Sequence, residues 1–282
     1  MHPRFAAFPT ALAAQARITR LGAGEIPALL VHPDWRTPRP TLLWLHGRTA
    51  HKELDPGRYL RLMREGIASC AIDLPGHGER PGPRRHDPTH TIDFAIEAVG
   101  EIDGVIEALA EPHIEGAAEH VFDLDRLAIG GMSAGGMIAL RRLCDPHPFR
   151  CALVEATSGR LTEMYFPPHA PHAPLTAPAP WPVQHPREKV DALDPSHHLD
   201  GFEPIPLLAI HATTDQLVPF GTQQRFIDDL RVQYHAMGAD PALVEFLTFT
   251  DTGAPREHAG FGKFGAQAKD AATDFLVRHL RP

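Results

Sequence analysis

Residues 127–136 read LAIGGMSAGG: an apolar run that ends in glycines, holds one serine between them and continues into the helix-like stretch MIALRRL. Few backbones accept that order. It requires a strand, a very sharp turn and a helix, with Ser133 at the apex in a strained conformation. Gly131 and Gly135 flank it, small enough to keep strand and helix from colliding. Such a turn lifts the hydroxyl clear of a sheet and sets it at a helix N-terminus, where backbone N–H groups face outward. The chain has four serines, and Ser133 alone is bracketed in this way. A plain glycine-rich turn is the competing account, and residues further along the chain bear against it.

A serine hydroxyl is a poor nucleophile until a base removes its proton, and that base works best when a carboxylate orients it. On a strand–turn–helix scaffold the partners follow in the order Ser, then Asp or Glu, then His, each on a loop after a later strand. Residues 205–219, IPLLAIHATTDQLVP, form an apolar strand that breaks into a loop holding Asp215. Residues 243–258, LVEFLTFTDTGAPREH, form a second such run that ends at His258. Asp215 competes with an ordinary turn or cap role, and Glu155 and Asp191 are its distant substitutes. His258 is one of 19 histidines, singled out by its place after the last expected strand and before a closing helix. His235 and His279 fall on helical patterns and read as surface residues.

Acyl transfer also needs two donors where negative charge develops on the former carbonyl oxygen. The backbone N–H of Ala134, next to the serine, is one. TLLWLHGRT at 41–49 supplies the other: an apolar strand ends in His46-Gly47-Arg48, and the glycine lets the backbone fold back, which assigns the second N–H to Arg48.

HGR at 46–48, DLPGHG at 73–78, GMSAG at 131–135, HATTDQLVP at 211–219 and EHAGF at 257–261 together resemble the α/β-hydrolase family. Within it the chain is similar to the dienelactone-hydrolase-like and prolyl-oligopeptidase-like serine esterases. The resemblance implies an α/β fold with an eight-stranded, mostly parallel sheet flanked by helices. It also implies hydrolysis of an ester or related acyl bond without a cofactor. Dienelactone hydrolase itself uses a cysteine where this chain has Ser133, so the likeness carries fold and reaction type further than substrate. The 282 residues hold no large extra domain of the oligopeptidase kind, which points to a small soluble substrate.

The rest of the chain fits that frame. ARITRL and IPALLVH read as an antiparallel pair, TLLWLH, IASCAID, RLAIG and CALVEA as buried strands, and 91–110 as an amphipathic helix. Strands alternating with helices mean parallel βαβ crossovers, with functional groups gathered at the carboxyl ends of the strands. A single domain over 1–282 accommodates this. A net charge of −8 argues against nucleic acid or an anionic membrane as partner. No apolar stretch reaches the ~18–20 residues that span a bilayer. Cys70, Cys144 and Cys151 lack metal-site spacing, so reduced thiols in a cytoplasmic protein are expected. The N-terminal FAAFPTALAAQA, broken by Pro9, reads as a short helix packed on the body rather than a signal peptide.

Residues 157–200 break the rhythm with nine prolines and five histidines. Proline removes the amide donor and fixes φ, so FPPHAPHAPLTAPAPWPVQHP forms neither a long helix nor a central strand. The expectation is a lid over Ser133, with Tyr165, Phe166 and Trp181 touching the substrate. A passive surface loop is the alternative. His169, His172, His185, His197 and His198 lack paired ligand spacing, and no metal is expected there. The reading of function is a carboxylesterase-like hydrolase acting on a small-molecule ester through Ser133, Asp215 and His258, with no cofactor. Peptidase, thioesterase or acyltransferase chemistry on the same residues stays open, as does a non-catalytic binding member of the fold. Oligomeric state is not written in the sequence.

Overall fold

The computed structural model describes residues 7–80, 87–110, 114–167 and 183–281. Its centre is an eight-stranded sheet in the order β1-β2-β4-β3-β5-β6-β7-β8. The strands are β1 (Ala16–Leu21), β2 (Ile26–Val31), β3 (Arg39–Leu45), β4 (Ala68–Ile72), β5 (Phe122–Met132), β6 (Phe149–Glu155), β7 (Leu207–Ala212) and β8 (Val244–Phe249). β2 pairs antiparallel with both β1 and β4, and every other pairing is parallel. The hairpin that starts the sheet turns at Gly22, whose φ of 66° suits glycine.

Helices cover both faces. α1 (Thr10–Gln15), α2 (Pro56–Arg64) and α8 (Gly265–Leu280) lie on one side. α3 (Thr91–Ala110), α4 (Ala134–Arg142), α5 (Leu161–Tyr165), α6 (Arg187–Leu193) and α7 (Phe220–Ala236) lie on the other. Side chains alternate across the strands accordingly. In β3, Leu43 and Leu45 enter the core beneath α3 and α4, while Leu42 and Trp44 enter the core beneath α2 and α8. The amphipathic reading of 91–110 matches α3, which buries Ile92, Ala95, Ile102, Val105 and Leu109. The N-terminal α1 packs on the body through Leu12 and Ala13.

The sharp turn between β5 and α4 is as the sequence requires. Ser133 sits at φ 54°, ψ −119°, a conformation that a non-glycine residue holds only when its surroundings impose it. Its N–H donates to the Glu155 carbonyl at 2.8 Å, and its own carbonyl accepts from the Thr157 hydroxyl at 2.8 Å. A Cβ at Gly135 would collide with the Leu45 carbonyl oxygen, and one at Gly131 with the Gly135 carbonyl. Glycine at 135 is therefore a packing requirement of the crossing between α4 and β3, and glycine at 131 of the turn from β5 into α4.

The segment 157–200 contributes α5 and α6, which pack against each other and against α3, α4 and α7. Its proline-rich centre, 168–182, lies outside the described residues, and so do Trp181, His169 and His172. Among the described residues, no helix is long and apolar enough to cross a membrane.

Gly135→Ala forces α4 away from β3. It is expected to lower the unfolding free energy by about 3 kcal/mol, measured by urea denaturation against the unaltered protein.

Candidate active site

All parallel strands present their carboxyl ends at one edge of the sheet, and the loops leaving β3, β5, β7 and β8 meet there. Ser133 follows β5, Asp215 follows β7 and His258 follows β8. The Ser133 hydroxyl donates to His258 Nε2 at 2.9 Å, and His258 Nδ1 donates to Asp215 Oδ2 at 2.7 Å. The three residues that sequence order singles out thus form one hydrogen-bonded chain. Glu155 and Asp191 do not reach it. Glu155 lies beneath the serine turn, held by Arg58 Nη2 at 2.7 and 2.8 Å, and Asp191 accepts from the Thr162 hydroxyl on the far side of the segment.

The Asp215 carboxylate is enclosed and fixed. Oδ1 accepts the N–H groups of Leu217 and Val218, each at 2.8 Å, which closes a tight loop around the side chain. Behind it, His211 on β7 donates from Nε2 to the Val218 carbonyl at 3.0 Å and stands 3.6 Å from Oδ2. Burial holds the His211 imidazole below its ordinary pKa, so it stays neutral and leaves the negative charge of Asp215 for His258.

His258 is carried on a loop under backbone strain. Arg256 and Glu257 both have φ of 53°, a left-handed conformation that costs non-glycine residues about 1 kcal/mol each. The Glu257 carboxylate braces it. Oε2 accepts the Thr252 N–H at 2.5 Å and its hydroxyl at 2.8 Å, and Oε1 accepts the Gly253 N–H at 2.8 Å. Oε2 also reaches Thr214, beside Asp215, at 3.3 Å. The Thr252 hydroxyl and the backbone amides of Thr252 and Gly253 hold the Glu257 carboxyl below its ordinary pKa. Glu257 thereby links the Asp215 loop to the His258 loop.

The expected anion donors stand at the start of a helix and in a tight turn. Ala134 is the first residue of α4, where helix geometry leaves its N–H without an i−4 partner. Arg48 lies in a turn closed by the Ala50 N–H on the Gly47 carbonyl at 3.2 Å, with Thr49 at φ 69°. His46 sets the entry to that turn. Its Nδ1 donates to the Gly47 carbonyl at 2.8 Å while its Nε2 accepts the Leu74 N–H at 3.1 Å. Burial lowers its pKa to about 4, so this single neutral tautomer persists at physiological pH. A Cβ on Gly47 would stand 3.4 Å from the Ser133 Cβ, a measure of how near the two loops approach.

Ser133 and His258 open into a cavity of about 520 Å³. Trp44, Tyr59, Leu54, Leu217, Met132 and Pro255 give it apolar walls, and Arg48, Arg256, Lys269 and Asp55 add polar ones. Lys269 pairs with Asp55 at 3.5 Å, and Asp55 also binds Arg58 at 3.0 Å. The cavity lies on the α2 and α8 face of the sheet. Tyr165 and Phe166 pack on the opposite face, Tyr165 within the electrostatic reach of Arg48. Tyr165 is buried in the core of the opposite face, its ring edge-on to His185 at 5.1 Å, and Phe166 packs against that same core with Arg187 over its ring. Neither lines this cavity among the described residues; its aromatic walls, Trp44 and Tyr59, come from β3 and α2. The one cue was alternation: Trp44 sits two residues before His46, at the carboxyl end of β3.

A model of the prolyl oligopeptidase family matches residues 113–282. The chain belongs to that family. It is a serine hydrolase of the α/β-hydrolase fold. Esterase YjfP of Escherichia coli K12 is 26% identical over 259 residues, spanning 91% of this chain and 96% of that protein. The solved structure of TT1662 from Thermus thermophilus superposes with a TM-score of 0.66 at 21% identity, covering 95% of this chain and 99% of that one. A Pyrococcus furiosus esterase gives 0.65 at 18% identity, covering 99% and 94%. The Pyrococcus horikoshii acylaminoacyl peptidase gives 0.64 at 16% identity, covering 94% of this chain but 41% of that larger one. At these identities the structural likenesses speak for the fold alone.

The His46 bonds generate a pH dependence. Its pKa in the folded state lies below the ordinary 6.5, at about 4, so between those values the unfolded chain binds more protons. Its contribution to stability is whole above pH 6.5 and is lost as pH falls to about 4. Urea unfolding across that window is expected to show a shallower pH slope for His46→Gln than for the unaltered protein.

Proposed function

We propose that the protein hydrolyses carboxylic esters of small soluble substrates through an acyl-enzyme on Ser133. The observation that carries this reading is the unbroken chain from the Ser133 hydroxyl through His258 to Asp215, at 2.9 and 2.7 Å. His258 takes the Ser133 proton as Oγ attacks the carbonyl carbon. Asp215 holds the Nδ1 tautomer and stabilises the imidazolium that forms. The N–H groups of Ala134 and Arg48 receive the oxyanion. His258 then gives its proton to the leaving alcohol, and a water molecule repeats the sequence on the acyl-enzyme.

The cavity of about 520 Å³ with apolar walls suits a short acyl group. The similarity to Esterase YjfP across nearly the whole of both chains supports ester chemistry over peptide chemistry. Cytoplasmic residence is part of the same proposal: Cys70, Cys144 and Cys151 are buried and unpaired, and burial pushes the Cys144 and Cys151 thiols up to about 12. They neither need nor readily undergo oxidation.

Mass spectrometry after fluorophosphonate treatment is expected to find one adduct, on Ser133. p-Nitrophenyl acetate and butyrate are expected to turn over faster than the octanoate, and faster than a matched thioester or peptidyl amide. Ser133→Ala should lose turnover and keep its fold. Asp215→Asn, with the histidine tautomer no longer held, should lose about 10⁴-fold in kcat. Turnover retained by Ser133→Ala removes the serine as nucleophile, and no adduct with no turnover would leave a ligand-binding member of the fold.

A further inference from the structure

Lys52 carries its ammonium group in the interior. Its side chain is fully buried, and Nζ donates to Asp73 Oδ2 at 2.7 Å and to Glu79 Oε1 at 2.5 Å. The backbone of the same residue is held as well. Its N–H donates to Asp73 Oδ1 at 3.0 Å, and its carbonyl accepts from the Tyr59 hydroxyl at 2.8 Å. Asp73 in turn accepts the Glu79 N–H on Oδ2 at 2.9 Å. Burial alone would raise its carboxyl, but the Lys52 ammonium and these amides hold it below the ordinary range. The turn that follows is built around that carboxylate: Gly78 has φ of 55°, and a Cβ there would run into the Asp73 side chain.

Burying an ammonium and a carboxylate, with a half-buried second carboxylate beside them, is a poor way to gain stability, since an apolar cluster of the same volume does as well or better. The arrangement does fix geometry. Lys52 lies four residues after Arg48, and His46 lies two before it. His46 ties the near end of the turn to the backbone of Leu74. Lys52 ties the far end to Asp73, the preceding residue. Both anchors therefore run to the segment leaving β4, and Arg48 lies in the chain between them, on the loop that approaches Ser133 at Gly47.

We propose that Lys52 is a positioning residue that fixes the loop presenting the Arg48 N–H to the developing oxyanion. The inference rests on the reading of Ser133 as nucleophile and Arg48 as anion donor. Lys52 touches no substrate and acts through the backbone of residues 48–52. Its loss loosens the donor in the transition state and leaves the ester's ground-state binding in place.

The test compares the unaltered protein with Lys52→Met using p-nitrophenyl butyrate and two ketones, butyl trifluoromethyl ketone and butyl methyl ketone. Ser133 Oγ adds to the fluorinated ketone, its proton passes to His258 and the carbonyl oxygen becomes an oxyanion, so that inhibitor reads the donor. The methyl ketone, which resists addition, reads cavity binding. Lys52→Met is expected to lower kcat and weaken the trifluoromethyl ketone in parallel by about tenfold or more, part of the ~10²–10³-fold that one whole donor supplies. KM and methyl ketone inhibition should stay within about twofold, a split that general loosening of the fold would not produce. If Lys52→Met does not fold, Lys52→Met/Asp73→Asn, which relieves the stranded carboxylate, is judged by the same criteria. Undiminished kcat and trifluoromethyl ketone affinity in the folded variant overturn the role of Lys52 alone. Absence of trifluoromethyl ketone inhibition in the unaltered protein overturns the underlying reading of Ser133 and the role of Lys52 with it.

Discussion

The approach of the first turn of α4 to the end of β3 governs the geometry of this molecule. Helix and strand cross so closely that residue 135 has no room for a side chain against the Leu45 carbonyl. That approach holds Ser133 in a conformation it would not adopt alone, with its N–H on β6 and its carbonyl on Thr157. It also brings the loop after β3 beside the serine, because the helix rests on the strand that feeds that loop. One steric fact thus sets the hydroxyl, the Ala134 amide and the Arg48 turn in a common frame.

Charge around that frame is paired before it can interfere. Arg58 lies between Glu155 and Asp55 with its guanidinium 3.9 Å above the Trp44 ring, and Lys269 answers the other side of Asp55. Lys52 is matched by Asp73 and Glu79. In a low-dielectric interior an unmatched ion would bias the protonation of any neighbour by far more than it would in water. Pairing leaves Asp215 as the carboxylate that addresses His258, backed by an imidazole that burial keeps neutral.

Much of this was legible in the chain because it is encoded locally. Strand alternation in TLLWLH and the amphipathic period of 91–110 reflect burial on one face, and each has its place in the sheet and in α3. The meeting of Ser133, Asp215 and His258 followed from loop order, since parallel strands deliver their carboxyl ends to one edge. What sequence did not disclose depends on which face of the sheet a group occupies. α5 is five residues long, too short to carry a period, so nothing marked Tyr165 as a core residue. Lys52, Glu257 and His46 are polar residues in loops, and their roles come from partners as far as 43 positions away. Asp73 caps the turn that follows it while also receiving a buried ammonium.

The cavity and the helices α5 and α6 belong to opposite faces of the sheet. Trp44, Tyr59 and Lys269 belong to the layer formed by α2 and α8, whereas α5 and α6, from which residues 168–182 extend, belong to the other. Variation can therefore act on the two separately. Substitutions along α2 and α8 reshape the chamber while α5 and α6 keep their seats on α3, α4 and α7.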